Sequence, residues 1–155
     1  MDNYILDIEC KGMKNKEKFP IEYTGRGENI SPEFNVKNLS KNAKSLVITL
    51  EDLTHPINKF THWIIWNIPA ANKIPGAIKK GAKVKELDNA RQGIAYGFQK
   101  YAGPKPPKGK IHRYIFTFYA IDSFIEASSF STKSKILKLI DKHIIQKGEI
   151  EGYFE

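Results

Sequence analysis

The stretch Tyr101–Ala120, YAGPKPPKGKIHRYIFTFYA, constrains this chain more than any other. A loop rich in proline and glycine runs straight into a segment whose residues alternate two by two. His112, Tyr114, Phe116 and Phe118 share one face of the strand this predicts, and Arg113, Ile115 and Thr117 share the other. An imidazole and a phenol then stand side by side where the strand leaves a stiff loop, with two phenylalanines behind them in the core. That is the floor of a polar pocket.

The run from Lys44 to Pro69 supplies a second half. Its first strand, Ser45–Leu50, is β-branched and apolar and ends at Glu51-Asp52. After an irregular loop, alternation resumes with His62, Ile64, Trp66 and Ile68 on one face and Trp63, Ile65 and Asn67 on the other. Asp52, His62 and His112 therefore sit at strand ends beside proline-containing loops, where rigid scaffolds present functional groups.

The remaining chain reads mostly as short strands and turns. Tyr4–Cys10 alternates as a strand, Lys11–Lys18 is an exposed turn, Thr24–Ser31 a glycine-bearing loop, and Glu33–Val36 and Lys83–Leu87 further short strands. One helix is expected near the end. Ser131 or Thr132 caps it, Ile136, Leu137, Leu139, Ile140, Ile144 and Ile145 recur at helical spacing toward the core, and Gly148 stops it. Many short strands followed by a terminal helix predict an all-β fold with helical decoration, a two-sheet antiparallel, Greek-key-like β-sandwich carrying a C-terminal helix. At 155 residues with nine phenylalanines, residues 1–155 form one domain with enough chain to bury a core.

Charge and cysteine content narrow the function classes. A formal net charge of +8 favours anionic partners. The charge is nearly all lysine, however, with guanidinium only at Arg26, Arg91 and Arg113, so the forks that read bases are scarce and no nucleic-acid partner is expected. Lone Cys10 excludes an internal disulfide and a cysteine-based zinc site, and suits a reduced, cytoplasmic setting. The first residues lack a basic-then-apolar leader, and no stretch approaches a membrane span, so stable membrane insertion is not expected. His143, among the lysines of the expected helix, reads as structural. His55, just after Asp52, is within reach of the pocket mouth.

Three blocks in order resemble the phosphatidylethanolamine-binding protein family, also called Raf-kinase-inhibitor-like, in its short prokaryotic branch. They are YTGRGENISPEF at Tyr23–Phe34, the Asp52…His62-Trp63…Asn67-Ile68-Pro69 block, and GPKPPKGKIHRY at Gly103–Tyr114. The closing KGEIEGYF is similar to the ending of bacterial members. The resemblance implies the same sandwich, with a ligand pocket at one end. It assigns Asp52, His62, His112 and Tyr114 to an anion pocket, and Gly103, Pro106 and Pro107 to its loop wall. Asp52 would orient one imidazole by accepting its N–H. The resemblance also implies a protein partner such as a kinase, and a homodimer.

The sequence departs from the family pattern in places. The usual Asp-Pro-Asp-x-Pro loop stands here as Asp52-Leu53-Thr54-His55-Pro56, Thr61 replaces a bulkier residue, and Lys105 replaces a frequent cysteine. Three function classes compete on these residues. The leading one is non-catalytic binding of small anionic or phosphorylated ligands, a phosphate ester or phospholipid head group, with no cofactor. The alternative is a small hydrolase with His62 or His112 as general base, although no serine or cysteine nucleophile stands at a recognisable elbow. The third is a metal site of Asp52, His62 and His112, an acceptable ligand set; the resemblance implies an anion pocket there, and no metal is expected.

Overall fold

A computed structural model describes residues 4–57 and 60–155. In chain order its strands are β1 (Ile8–Cys10), β2 (Glu17–Lys18), β3 (Phe34–Val36), β4 (Ser45–Asp52), β5 (Phe60–Pro69), β6 (Lys73–Ile74), β7 (Lys83–Val84), β8 (Ala90–Gln92) and β9 (His112–Ile121). The helix α1 (Lys133–Ile140) and the strand β10 (Ile144–Phe154) follow. One sheet has the order β1-β3-β6, the other β2-β10-β9-β4-β5-β8-β7. Neighbours are antiparallel except β10 and β2, whose short pairing is parallel. The irregular loop expected before β5 includes residues 58 and 59, which lie outside the described residues.

The large sheet is covered on both faces, which suits the apolar centre of β4, Leu46–Ile48 with Leu50: all eight of the strand's residues are buried. Between the sheets Phe34 packs edge-to-face on Phe116 and Phe118, with Leu46, Ile48, Leu50, Trp63 and Ile65 around them. On the far face Val47, Ile64, Trp66 and Ile121 meet Ile136 and Ile140 of α1. Among the described residues, no helix is long and apolar enough to cross a membrane.

Strand β5 departs from simple alternation twice. Leu50 pairs with Trp63 but Glu51 with Thr61, so His62 is the extra residue of a β-bulge. Leu46 pairs with Ile68 and Ile48 with Ile65, leaving a second extra residue, and Asn67 takes a left-handed φ of 59°. Ile68 consequently packs with Trp63 and Ile65, not with Ile64 and Trp66 as alternation predicts.

The C-terminal expectation needs a larger correction. The helix ends at Ile140, a single 3-10 turn covers Asp141–His143, and Ile144 and Ile145 open β10. Gly148 is therefore a strand residue and not a helix stop. Added Cβ atoms at Gly148 and Gly152 would come within 2.6 Å of Leu6 and of Phe19, so close crossing of other segments demands both glycines. Leu139, expected toward the core, is 37% exposed, because the short helix turns Ile136 and Ile140 inward with Leu137 at the edge of the same face. Thr132 occupies the N-cap without a side-chain hydrogen bond. Elsewhere β1 is shorter than Tyr4–Cys10, Glu17–Lys18 joins the large sheet, and Lys85–Leu87 is a 3-10 turn and not strand.

Candidate anion pocket

The sheet pairing brings the polar strand ends together. Asp52 closes β4 and stands opposite Tyr114 of β9, two residues after His112. Even-numbered positions of β9 face the inter-sheet core, so His112 and Tyr114 lie at the open end of that face above Phe116. The bulge at His62 turns its side chain to the same place. Asp52, His62, His112 and Tyr114 thus line one pocket of about 220 Å³, together with His55, Phe60, Tyr96, Lys105, Pro106 and Pro107.

Its polar groups are tightly held. Asp52 is buried, and its Oδ1 accepts from the backbone N–H of Thr54 (2.8 Å) and His55 (3.0 Å). This turn keeps the loop closed although Leu53 and Thr54 replace the usual proline and aspartate. Thr54 contributes in its own way, its hydroxyl accepting from the Arg113 N–H at 2.9 Å. Asp52 Oδ2 accepts from His112 Nδ1 at 2.7 Å, so His112 is the imidazole that Asp52 orients. His62 instead donates from Nδ1 to the Ala102 carbonyl at 3.0 Å. Each ring is therefore fixed through Nδ1.

The environment moves two of these groups. Burial pushes the His62 pKa below the ordinary histidine value, and the charge of His55 adds to this; the Ala102 carbonyl, Asp52 and the Gly103 backbone oppose it. Burial, and then the Asp52 charge, push the Tyr114 phenol well above its usual value, so it remains protonated.

The wall and rim contain residues that alternation could not find. Gly103 does not line the pocket. Its N–H donates to Asn29 Oδ1 at 2.7 Å, and a Cβ there would lie 1.9 Å from the Tyr23 carbonyl oxygen. The loop after Tyr23 braces the wall at two further points, Gly25 N–H to the Pro104 carbonyl (2.8 Å) and Arg26 Nη2 to the Pro106 carbonyl (2.8 Å). The glycine and charge pattern of TGRGEN is the visible signal for that brace. Tyr96, 5.1 Å from the His62 ring, arrives from a segment with no distinguishing pattern. His55 stacks on Phe60 at 4.2 Å, and Lys105 supplies a cation. His143 lies elsewhere, paired with Asp122 at 2.9 Å. Among the described residues no three His, Cys, Asp or Glu side chains are spaced to hold a metal ion.

Known proteins share this architecture. A family model described as phosphatidylethanolamine-binding protein matches residues 10–155. A UPF0098 protein of Pyrococcus abyssi is 38% identical over 143 residues, 91% of this chain and 80% of that protein. The crystal structure of a phosphatidylethanolamine-binding protein homologue from Chlamydia trachomatis superposes with a TM-score of 0.83 at 28% identity, covering 99% of both chains. YbcL of E. coli, described as a member of the mammalian family, gives 0.86 at 26% identity, covering 97% of this chain and 98% of that one.

Proposed function

This chain belongs to the phosphatidylethanolamine-binding protein family, and from that premise we propose that its pocket binds a small oxyanion, a phosphate ester or a phospholipid head group, without turning it over. One observation carries the reading. Two imidazoles, each fixed through Nδ1 to Asp52 or to the Ala102 carbonyl, line one small pocket with Tyr114 and the Lys105 cation. Oxyanions are recognised by polar groups that converge with little freedom left to lose. The volume of about 220 Å³ lies below that of drug-sized sites, which start near ~300 Å³, so a head group fits and an acyl chain does not. Pro106 and Pro107 stiffen one wall, since proline fixes φ, and Gly103 lets that wall approach the Tyr23 backbone.

Binding takes place in one domain over residues 1–155, in a cytoplasmic setting that suits Cys10, whose thiol burial pushes up to about 12 and renders unreactive. A kinase-like partner and a homodimer rest on the family resemblance alone. Light scattering tests the dimer. The pocket is tested by titrating methyl phosphate and sulfate into the protein in a calorimeter. At least one should bind with one-to-one stoichiometry and lose roughly tenfold or more in affinity in His112→Gln, the change expected when one charge-assisted contact goes. Release of inorganic phosphate from methyl phosphate would favour the hydrolase instead.

A further inference from the structure

The donors and acceptors on the pocket floor do not balance for an ordinary anion. The Ala102 carbonyl can only accept, so the hydrogen of a neutral His62 sits on Nδ1 and its Nε2 is a lone pair. At the Asp52 carboxylate His112 likewise directs its Nδ1 hydrogen away from any ligand. The Tyr114 hydroxyl interacts with Asp52 and with the backbone of Lys105. Asp52 itself is a buried carboxylate. With the His62 ring neutral, a lone pair and a carboxylate face the pocket, opposed among the described lining residues by the Lys105 cation.

Resting on the anion-binding reading above, we infer that this pocket selects oxyanions that carry an acidic O–H, above all a phosphate monoester in its singly protonated form, over anions that have none. His62 makes the choice. A protonated monoester donates its O–H to Nε2 while its other oxygens accept from Lys105. Sulfate and phosphodiesters have no such hydrogen, so they bring oxygen against a lone pair unless a proton is first placed on the ring. The surroundings resist that proton. His62 is buried against the rings of Phe60, Tyr96 and Tyr114, and the oxygen facing its Nδ1 is a neutral carbonyl. The titratable groups around it are Asp52, which favours the imidazolium, His55, which opposes it, and His112, Tyr96, Tyr114 and Lys105 across the pocket. Burial outweighs Asp52 and holds the ring toward its neutral form.

Calorimetry on the whole chain, with methyl phosphate, dimethyl phosphate and sulfate as probes, tests this. At pH 6, near the second ionisation of a phosphate monoester at about 6, methyl phosphate should bind roughly tenfold tighter than either other anion, the worth of one hydrogen bond to a charged group. Repeating the titration in buffers of different ionisation enthalpy counts protons. Sulfate, which brings no proton, should draw one from solution onto His62, whereas methyl phosphate should take up about half of one, because half of it already carries its own. In His62→Gln an amide N–H replaces the lone pair, and the preference should fall to about twofold or less. The proton count in the unaltered protein stands even where that variant folds poorly. Equal affinities and equal proton uptake for methyl phosphate and sulfate would overturn the selectivity while leaving anion binding intact. Dimethyl phosphate binding as tightly as methyl phosphate would overturn it too. Binding of no anion at all would remove both readings.

Discussion

Strand β9 carries a histidine–aspartate pair at each end. His112 opens the strand and meets Asp52 at 2.7 Å, with side chains 11% and 3% exposed; Asp122 follows its last residue and meets His143 at 2.9 Å, with side chains 47% and 45% exposed. The contacts are nearly alike in length, yet water reaches only one of them freely. At the exposed end, water solvates either partner alone, so the pair adds little. At the buried end each partner is the other's main compensation for lost hydration, and Asp52 also anchors the turn through Thr54 and His55. The same two residue types can thus be ornament or architecture, and burial decides which.

The largest effect should come from cutting the buried pair. Asp52→Ala strands the His112 N–H and frees the loop, and should cost about 3–5 kcal/mol in urea unfolding. Asp122→Ala should cost less than about 1 kcal/mol in the same experiment. Equal losses would break the comparison.

Next in size is the phenol. Tyr114→Phe keeps the buried ring but deletes a hydroxyl beside Asp52, and should cost on the order of 1 kcal/mol in stability, with weaker methyl phosphate binding. If both stay at parent values, the hydroxyl is not part of the site.

A third test concerns acid. The folded pKa of His62 lies below its unfolded value of about 6.5, so the fold prefers the neutral ring. That contribution is present above about pH 6.5 and is lost as pH falls toward the folded value. Melting temperatures from pH 7.5 down to pH 5 should therefore drop less in His62→Gln than in the parent. Sulfate should recover part of the parent's loss, because it binds the protonated ring. A parent and variant with parallel pH profiles would contradict the assignment of that slope to His62.

The smallest expected effect is at the exposed pair. His143→Gln should change stability by less than about 0.5 kcal/mol and leave methyl phosphate titrations unaltered. A change in binding there would show coupling along β9 that the contacts do not reveal.

Much of the fold and the pocket was legible because local pattern and tertiary burial agree. The two-by-two alternation of His112–Phe118 matches a face that does pack on the inter-sheet core, and the β-branched, apolar centre of β4 matches a strand covered on both sides. The proline-glycine loop also marked where the sheet opens. The C-terminus was misread because isoleucines at 136, 140, 144 and 145 satisfy a helical period, while Ile144 in fact pairs with Ile121 of β9 and Ile145 is the extra residue of the register shift beside it. A short apolar run suits either element, and only the available strand edge chooses.

The sequence alone determined the strand-rich architecture and the residue types at the pocket, since side-chain alternation and loop chemistry are properties of neighbours along the chain. Tertiary structure decided the rest. The bulge that re-aims His62 exists only against β4, and the brace from Asn29 and Arg26 exists only against Gly103 and Pro106. Which histidine Asp52 holds, and which way each ring turns, depends on atoms some 40 to 60 residues apart in the chain, Ala102 from His62 and Asp52 from His112. Register and burial set such contacts, and neither is a local quantity.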